Sequence, residues 1–347
     1  MGRCVTDAQP LAGDAAARVL VAGASGFTGA LAAHIVWRHP RLELAGVTAR
    51  GDAGTRLDRL YPHHRVPLEL EELDLDAAAE LDAAIVAYPH GAAAPVVARL
   101  REHGLKVVDL SADFRLRDPE TYREWYGEHG APELGDAAVY GLAELYREQI
   151  AAAELVANPG CYPTAALLAL APLAEAGVIE DAVVSAASGV SGAGRGGGDG
   201  RLHFVSVDEN FAPYGVAGHR HEPEIAQELG ALGSDAPLTF VPHLLPLDQG
   251  ELVSCYVRPA REITNAELAA LYRDRYASEP FVEVVDAPPG VRDVRDTNLC
   301  RVHALLNDRS GRVLVFAAID NLWKGASGQA VQNLNLMLNL PETEGLL

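Results

Sequence analysis

The chain has 347 residues, 28 Lys and Arg against 48 Asp and Glu, and a formal net charge of −20 at pH 7. A hydrophobic fraction of 49% and a charged fraction of 22% are ordinary for globular proteins, which excludes wholesale disorder, and the length predicts two domains. Because so negative a chain repels phosphates, we expect no nucleic-acid and no membrane partner, although a local cluster of Arg and N–H groups can still bind an anionic substrate.

Residues 1–16 are expected to form a tail. They lack the apolar segment of a secretory signal, so no such signal is expected. The first six residues fit the N-myristoylation pattern, with Cys4 placed for palmitoylation, but so short a pattern favours an unmodified tail. The other cysteines are Cys161, Cys255 and Cys300. Wide spacing without a CxxC pair excludes a zinc knuckle and a disulfide framework, and it favours a reducing compartment, the cytoplasm.

Strands and helices alternate in the first 160 residues. A β-branched run at 18–22 predicts a strand, a glycine turn follows at 23–29, and a helix is predicted over 30–37. A second strand over 42–48 completes a βαβ unit. The pattern recurs as a predicted strand, helix and strand at 83–87, 92–103 and 106–110. We therefore predict an α/β fold with a doubly wound parallel sheet, in a first domain spanning 17–160.

Beyond residue 160 the strands follow one another with fewer helices. The predicted strands lie at 183–187, 238–241, 252–258, 281–285 and 313–319. They indicate a second, α+β domain with a mixed or antiparallel sheet over 161–320. The glycine-rich segment 189–200, which contains Arg195, predicts a loop that is flexible unless it binds something. From Asn321 the tail has a helical period and ends at Pro341.

Three glycines at the first strand-to-helix turn predict a phosphate cradle. Gly23, Gly26 and Gly29 lack the Cβ atom that would block close approach of a pyrophosphate, and the first helical N–H groups supply the donors. Their GxxGxxG spacing departs from GxGxxG and also fits a tight turn without a ligand, but the position between strand and helix favours a cofactor. Arg50, where an acidic residue would hold a ribose hydroxyl, suits a 2′-phosphate and favours NADP(H).

Cys161 is the cysteine with an activating context. It follows the turn at 159–160 and precedes a predicted helix over 164–176, whose dipole and N–H groups would stabilise a thiolate. A buried, inert thiol is the commoner outcome for a single cysteine, and Cys255 and Cys300 fit that description.

A base could come from the segment before a later amphipathic helix. His219, Arg220 and His221 stand there together. A His-x-His pair can also ligate a metal, but no third ligand stands at a recognisable spacing, so no metal site is predicted. The remaining histidines considered are interpreted as surface or core residues: His63, His64, His203 and His243.

Eight motifs occur in the order found in the N-acetyl-gamma-glutamyl-phosphate reductase family, which the chain resembles over about residues 17–345. They are GASGFTG at 23–29, PHG at 89–91, LSADFR at 110–115, VYGL at 139–142, NPGCYPT at 158–164, SGVSGAGR at 188–195, GHRHEPEI at 218–225 and IDNLWKG at 319–325. The resemblance implies a Rossmann-type NADP-binding domain and a catalytic and dimerisation domain related to aspartate-semialdehyde dehydrogenase. It also implies a C-terminal helix, within 321–347, that returns to the first domain, and a homodimer or homotetramer.

Carried over by motif, the resemblance implies that Cys161 is the nucleophile and His219 the base, although the sequence leaves open whether His219 or His221 moves the proton. The expected cofactor-binding residues are Gly23, Ser25, Gly26, Phe27, Thr28, Gly29, Arg50, Ser188, Ser191, Gly192 and Asn321. The candidates for substrate binding are Arg115, Asn158, Arg220, His221 and Glu224.

The resemblance implies NADPH-dependent reduction of N-acetyl-gamma-glutamyl phosphate, through a cysteine thioester, to the semialdehyde and phosphate in arginine biosynthesis, and a cysteine with an activating context fits that chemistry. Two positions depart from the family pattern: Gln249 where arginine is common, and Ala143 where proline is usual. Alternatives are the same reaction on a carrier-linked glutamyl or aminoadipyl phosphate, aspartyl-phosphate reduction, and a non-catalytic NADP-binding sensor. The intact NPGCYPT and HRH segments argue against the sensor.

Overall fold

The computed structural model describes residues 15–196 and 200–347, apart from the side chain of Arg201. The acylation pattern at residues 1–6 lies outside the described part. The described chain forms two compact units: one contains the residues up to Asn158 together with Ser327–Leu347, and the other lies within Pro159–Ala326. In these ranges no helix has both the length and the apolar character that crossing a bilayer requires.

The strands and helices of the described residues are numbered in chain order. The strands are β1 Ala17–Ala22, β2 Leu42–Thr48, β3 Ala83–Val86, β4 Lys106–Asp109, β5 Ala138–Tyr140, β6 Leu155–Ala157, β7 Ile179–Gly189, β8 Ala212–Pro213, β9 Leu238–Leu245, β10 Glu251–Pro259, β11 Val282–Val284, β12 Cys300–Asn307 and β13 Arg312–Ile319. The α-helices are α1 Phe27–Arg38, α2 Leu57–Leu60, α3 Leu75–Ala78, α4 Ala94–Glu102, α5 Pro119–Tyr126, α6 Ala143–Ala152, α7 Cys161–Glu175, α8 Phe204–Val207, α9 Glu222–Ala231, α10 Asn265–Tyr276 and α11 Gly328–Met337.

The first unit is built on a six-stranded sheet in the order β2-β1-β3-β4-β6-β5. Every neighbouring pair is parallel. Strands β3 and β4 are almost entirely buried, as expected when helices cover both faces of a parallel sheet. The chain moves to opposite sides of β1 to reach β2 and β3, so the crevice that such sheets use for nucleotides opens at the end of β1. The predicted doubly wound sheet is confirmed.

The second unit contains a seven-stranded sheet in the order β11-β12-β13-β10-β7-β9-β8. It is mixed, because β7 pairs with β9 and β11 with β12 in parallel while the other pairs are antiparallel. Helix α7 contacts the central strands β10 and β13 and is buried from Tyr162 to Ala174, in keeping with its Ala- and Leu-rich sequence. The predicted α+β character of this part is confirmed.

A proline inside α7 is matched by a donor from another helix. Pro172 has no N–H to offer the carbonyl of Leu168 one turn earlier. The hydroxyl of Tyr276, in α10, donates to that carbonyl over 2.6 Å. The carbonyl of Leu168 therefore has a hydrogen-bond donor although it is buried, and α7 continues past Pro172 to Glu175.

Several element boundaries differ from the sequence expectation. Helix α7 begins at Cys161, three residues before the predicted start, so the thiol belongs to the first turn itself. Strand β12 was not predicted, because Arg301 and His303 interrupt its apolar pattern. The tail is a π-helical turn over Trp323–Ser327 followed by α11, so its α-helix begins later than Asn321. The glycine-rich loop starts with a 3₁₀ turn at Val190–Ala193.

Candidate active site

The glycine turn follows β1 and opens α1. Gly23 has a positive φ of +88°, and a Cβ there would lie 2.6 Å from the carbonyl oxygen of Ala87, so only glycine fits. A Cβ at Gly29 would overlap the Gly23 carbonyl. At Gly26, the N-cap of α1, a Cβ would meet protein only at 3.8 Å, so this glycine leaves space on the ligand side. The turn therefore has the shape of an anion cradle at a helix N-terminus.

The rest of the turn is held by uncharged groups. The hydroxyl of Tyr61 donates to the carbonyl of Ser25 over 2.8 Å, and its ring meets Phe27 edge-on. The carbonyl of Thr28 accepts a hydrogen bond from Ser327. These contacts fix the backbone while adding no charge that would compete with a bound pyrophosphate.

Arg50 follows the end of β2 by two residues and is exposed. Its guanidinium group lies over the ring of Tyr88, 5.2 Å from the ring centroid. Stacking of this kind holds the side chain while leaving the guanidinium edges for an anion.

Asn158 and Arg115, predicted as substrate contacts, are buried together in the first unit. Arg115 donates through Nε to the carbonyl of Asn158 over 2.7 Å and through a terminal nitrogen to the carbonyl of Leu110 over 2.8 Å. The Asn158 side-chain oxygen accepts from Asn333, and its N–H donates to the carbonyl of Asp109. These bonds fix the strand end that leads toward Cys161.

The nucleophile candidate lies at the start of a buried helix. Cys161 is the first residue of α7 and is partly exposed. Its N-cap, Gly160, has no side chain to occupy the first N–H groups, so these can stabilise negative charge on sulfur. A Cβ at Gly325 would come within 2.8 Å of the Cys161 Cβ, so this glycine permits the close approach of the two segments.

A buried carboxylate holds the turn before the thiol. Glu224, in the first turn of α9, accepts a hydrogen bond from the N–H of Gly160 over 2.9 Å and is only 1% exposed. Thr164 donates from its hydroxyl to the carbonyl of Gly160 over 2.9 Å. Both groups of the N-cap residue are therefore fixed. Glu224 is also predicted as a substrate contact, and its bond to Gly160 places it next to Cys161.

His219 lies in an aromatic pocket beside α7. Its ring meets Tyr162, the residue after Cys161, edge-on with centroids 5.9 Å apart, and it also contacts Tyr214 and Phe240. Burial, with a smaller contribution from the charge of Arg220, lowers the pKa of His219 to about 4. The imidazole is therefore neutral at physiological pH.

The hydrogen bonds of His219 define its tautomer. The backbone N–H of His221 donates to Nδ1 of His219 over 3.2 Å, so the neutral ring carries its proton on Nε2. The ring of His221 packs against His219 and Tyr162, with centroid distances of 4.9 Å and 5.8 Å. In this tautomer Nε2 offers a hydrogen bond rather than accepting a proton.

Three of the predicted cofactor-binding residues, Ser188, Ser191 and Asn321, form a second buried cluster. The side chain of Asn321 donates to the hydroxyl of Ser191 over 3.0 Å and accepts from the N–H of Gly250 over 2.7 Å. Ser188 is buried at the end of β7, and a Cβ at the exposed Gly192 would lie 3.3 Å from its hydroxyl. Asn321 thus joins the end of β7 to the start of β10.

Sequence reasoning missed one carboxylic acid at this site. Glu251, the first residue of β10, is fully buried and pairs with Ser188 on β7 and Ile319 on β13. Burial raises the pKa of Glu251 to about 8, although the Cys161 thiol and the Ser188 hydroxyl lower it as hydrogen-bonding neighbours. The signal in the sequence is an acidic residue at the start of a strand whose next two residues, Leu252 and Val253, are apolar.

The position where the family pattern has an arginine is occupied by a hydrogen-bonded amide. Gln249 donates to the carboxylate of Asp296 over 2.6 Å, and Asp248 accepts through its carbonyl from the N–H of Ser191. Among the described residues, no group of three or more His, Cys, Asp or Glu side chains is arranged to hold a metal ion.

Comparisons with known proteins match this architecture. The NAD-binding domain of semialdehyde dehydrogenases matches residues 18–153, and their dimerisation domain matches residues 161–321. The N-acetyl-gamma-glutamyl-phosphate reductase of Moorella thermoacetica is 49% identical over 337 residues, covering 94% of this chain and 96% of that protein. The reductase of the same name from Desulforudis audaxviator is 48% identical, with 95% and 98% covered.

A solved structure shares the fold at lower identity. Aspartate semialdehyde dehydrogenase II from Vibrio cholerae aligns with a TM-score of 0.71 and 18% identity, over 93% of this chain and 98% of that one.

Proposed function

The chain belongs to the N-acetyl-gamma-glutamyl-phosphate reductase family, and we propose that it reduces N-acetyl-gamma-glutamyl phosphate with NADPH, giving N-acetyl-glutamate semialdehyde and phosphate in arginine biosynthesis. The observation that carries the proposal for the site is the position of Cys161. Its thiol stands in the first turn of buried α7, behind an N-cap whose two backbone groups are fixed by Glu224 and Thr164. Such a thiol is suited to attack an acyl phosphate.

NADP(H) fits the first unit. The space beside Gly26 and the N-terminus of α1 suit the pyrophosphate, and the stacked guanidinium of Arg50 suits a 2′-phosphate. We assign Ser25, Phe27 and Thr28 to the same turn as cofactor neighbours. When bound, the reduced cofactor supplies the hydride.

Cys161 carries the acyl group. Its thiolate attacks the carbonyl carbon, the C–O bond to phosphate breaks, and a thioester remains. The phosphate leaves with a proton from solvent. After reduction the carbon bears an oxyanion; the C–S bond then breaks, which releases the aldehyde and regenerates the thiolate. The N–H groups of the first turn of α7 stabilise both forms of the charge.

His219 serves as a hydrogen-bond donor to the reacting oxygen. The base role expected from the family requires a nitrogen free to take a proton, whereas Nδ1 accepts the N–H of His221. The pKa of about 4 keeps the ring neutral, with Nε2–H as the donor. Arg220, which is exposed beside it, is our candidate for anchoring the substrate's phosphate or carboxylate.

We further assign cofactor binding to the first unit and catalysis and assembly to the second, with a homodimer or homotetramer in the cytoplasm. Large apolar side chains exposed on the second unit support an interface, namely Phe204, Val205, Phe211 and Val216. Among the described residues, Cys161, Cys255 and Cys300 lie outside any disulfide. Size-exclusion chromatography with light scattering decides between the two assemblies.

The nucleophile is tested by replacing Cys161 with Ala. We expect loss of phosphate-dependent NADP reduction by the semialdehyde, measured at 340 nm, because no thioester can form. The matched control is Cys255→Ala, which removes a thiol buried in β10 and should keep turnover. Retained turnover in the Cys161 variant contradicts the assignment.

The substrate is tested with a panel of semialdehydes on the wild-type enzyme. We expect kcat/KM to be highest for N-acetyl-glutamate semialdehyde. A preference for aspartate semialdehyde, or for a glutamyl or aminoadipyl semialdehyde attached to a carrier protein, replaces our substrate with that one.

A further inference from the structure

Glu251 is a buried acid beside the proposed nucleophile with no assigned role in the reaction. It lies at the centre of the second sheet, since its strand β10 runs between β7 and β13. Within the described residues, neither carboxylate oxygen of Glu251 makes a hydrogen bond of ordinary geometry, and the side chain is 0% exposed. Burying a carboxyl costs free energy, and the polar groups placed to offset that cost for Glu251 are its neighbours in the second unit.

The groups that face Glu251 come from four segments. Helix α7 brings Cys161 and Tyr162, β7 brings Ser188, the segment before α9 brings Tyr214, and the end of β13 is followed by Asp320. The thiol and the serine hydroxyl act on the carboxyl as hydrogen-bonding neighbours, while Asp320 repels its ionised form. Burial raises the pKa values of both tyrosines, and the negative charge of Glu251 adds a smaller contribution in the same direction.

Two acids in contact at a buried site cannot both ionise easily. A like charge within a few ångströms disfavours the second ionisation, and burial strengthens that effect. A pair coupled in this way would titrate as one unit, with a single negative charge on either the sulfur or the carboxylate. When the charge is on sulfur, the S–H bond is broken, the carboxyl carries an O–H bond, and that O–H can donate to the thiolate.

We propose that Glu251 is a positioning residue for Cys161: its carboxyl shares one negative charge with the thiol, supporting the thiolate as an uncharged donor and opposing it once ionised. This inference rests on the proposed role of Cys161 as nucleophile. It assigns to Glu251 no contact with substrate or cofactor. The consequence is a nucleophile whose reactivity levels off in alkaline solution, where an ordinary thiol continues to gain thiolate.

The test measures alkylation of Cys161 by iodoacetamide in the full chain, without substrate or cofactor, from pH 6 to 10. The rate is read by mass spectrometry on the peptide that contains Cys161, which separates it from the other cysteines. We compare wild type with Glu251→Gln, which keeps a donor but cannot ionise, and with Glu251→Leu, which keeps neither.

Near pH 6 we expect wild type and Glu251→Gln to react at similar rates. At pH 9 the Gln variant should react about tenfold faster, because its thiol ionises roughly one pH unit lower than the thiol beside an ionised carboxylate. The thiol in Glu251→Leu should ionise at higher pH than in the Gln variant, because no donor supports the thiolate. Coincident profiles of wild type and Glu251→Gln overturn the proposal, and coincident Gln and Leu profiles remove its hydrogen-bond part.

Thermal unfolding gives an independent measurement. The folded-state pKa of Glu251, about 8, lies above its unfolded value, so the stability that its protonated form contributes is complete in acid and is lost as pH rises toward about 8. The Tm of Glu251→Gln relative to wild type should therefore increase between pH 5 and 9. A pH-independent difference shows that the carboxyl does not titrate in this range and overturns the charge sharing.

These outcomes are separate from the proposed function. An active reductase with coincident alkylation profiles keeps the function and loses the role of Glu251. A chain that shows the coupling but reduces no acyl phosphate keeps the coupling and loses the function.

Discussion

Two glycine-capped helix N-termini, one in each unit, differ in the side chains that surround them. Helix α1 starts after Gly26 and α7 after Gly160, both caps are extended, with ψ of 163° and 155°, and neither first turn carries an acidic residue. The α1 turn is held by neutral groups such as the Tyr61 hydroxyl. The α7 turn is held by a buried carboxylate, and a buried carboxylic acid lies beside its first residue.

The difference follows from where the charge comes from. A dinucleotide arrives with permanent negative charge, so backbone N–H groups and space suffice, and a titratable neighbour would only compete. A thiol must gain, pass on and regain negative charge in each turnover, so its surroundings need groups that can change protonation or donate a proton. In our proposal, the same kind of helix N-terminus binds an anion in the first unit and supports a reactive thiol in the second, and its side-chain neighbours make the difference.

The largest expected effect tests whether His219, in the aromatic pocket beside α7, acts as a hydrogen-bond donor or as a general base. If His219 acts as a donor, His219→Gln, which keeps an N–H group, should lose about tenfold in kcat, and His219→Phe should lose about 10²–10³-fold. Steady-state kinetics with the semialdehyde, phosphate and NADP measures both. A role as general base predicts equal losses, because neither replacement accepts a proton.

The pH profile separates the same two roles. A donor remains a donor when the ring is protonated, whereas a base would lose activity as pH falls through its pKa of about 4. We therefore expect the plots of kcat/KM against pH for wild type and His219→Gln to have the same shape on the acidic side. His203→Gln, at an exposed histidine of the second unit, is the control for loss of an imidazole elsewhere.

A smaller effect tests whether the carboxylate behind the thiol matters to the chemistry. Glu224→Ala removes the acceptor of the Gly160 N–H, which should cost about 1.5–3 kcal/mol of unfolding free energy. Because a nucleophile displaced by ~1 Å can lose up to about 10²-fold in rate, we expect kcat/KM to fall by about 10–100-fold. Glu222→Ala, a half-buried acid in the same turn of α9, is the matched control. The unfolding free energy is measured with urea and kcat/KM by steady-state kinetics. Equal changes of both quantities in the Glu224 and Glu222 variants argue against the positioning role.

The sequence predicted the parts of the fold that have a strong local signal. The glycine turn, β2 at its observed bounds and the mixed second sheet follow from apolar periodicity and turn residues. The start of α7 could not be predicted to the residue, because Pro163 suits any position in a first helical turn. Strand β12 was missed because its own sequence does not show the apolar pattern of a strand. It is recognisable only from its antiparallel pairing with β13.

The candidate site divides in the same way. Cys161 and His219 stand in recognisable motifs, whereas Glu251 acquires its properties only from strands β7 and β13 on either side and from α7 above them. A raised pKa of this kind depends on burial, which no local pattern in the chain encodes. The hydrogen bonds from backbone N–H groups to Glu224 and Asn321 likewise join segments distant in the sequence, so motif matching could not predict them.

The smallest expected effect concerns the first unit. It tests whether the positive charge of Arg50 contributes to cofactor binding beside the uncharged turn before α1. Arg50→Glu should raise the KM for NADPH about tenfold and leave that for NADH nearly unchanged, because in our proposal the guanidinium stacked on Tyr88 binds the 2′-phosphate that NADH lacks. Arg99→Glu makes the same charge change in the last turn of α4, at the opposite edge of the sheet from the glycine turn. Equal losses for the two cofactors would mean that Arg50 supports the turn through Tyr88 rather than reading the phosphate, and the first unit would then bind its cofactor by backbone and shape alone.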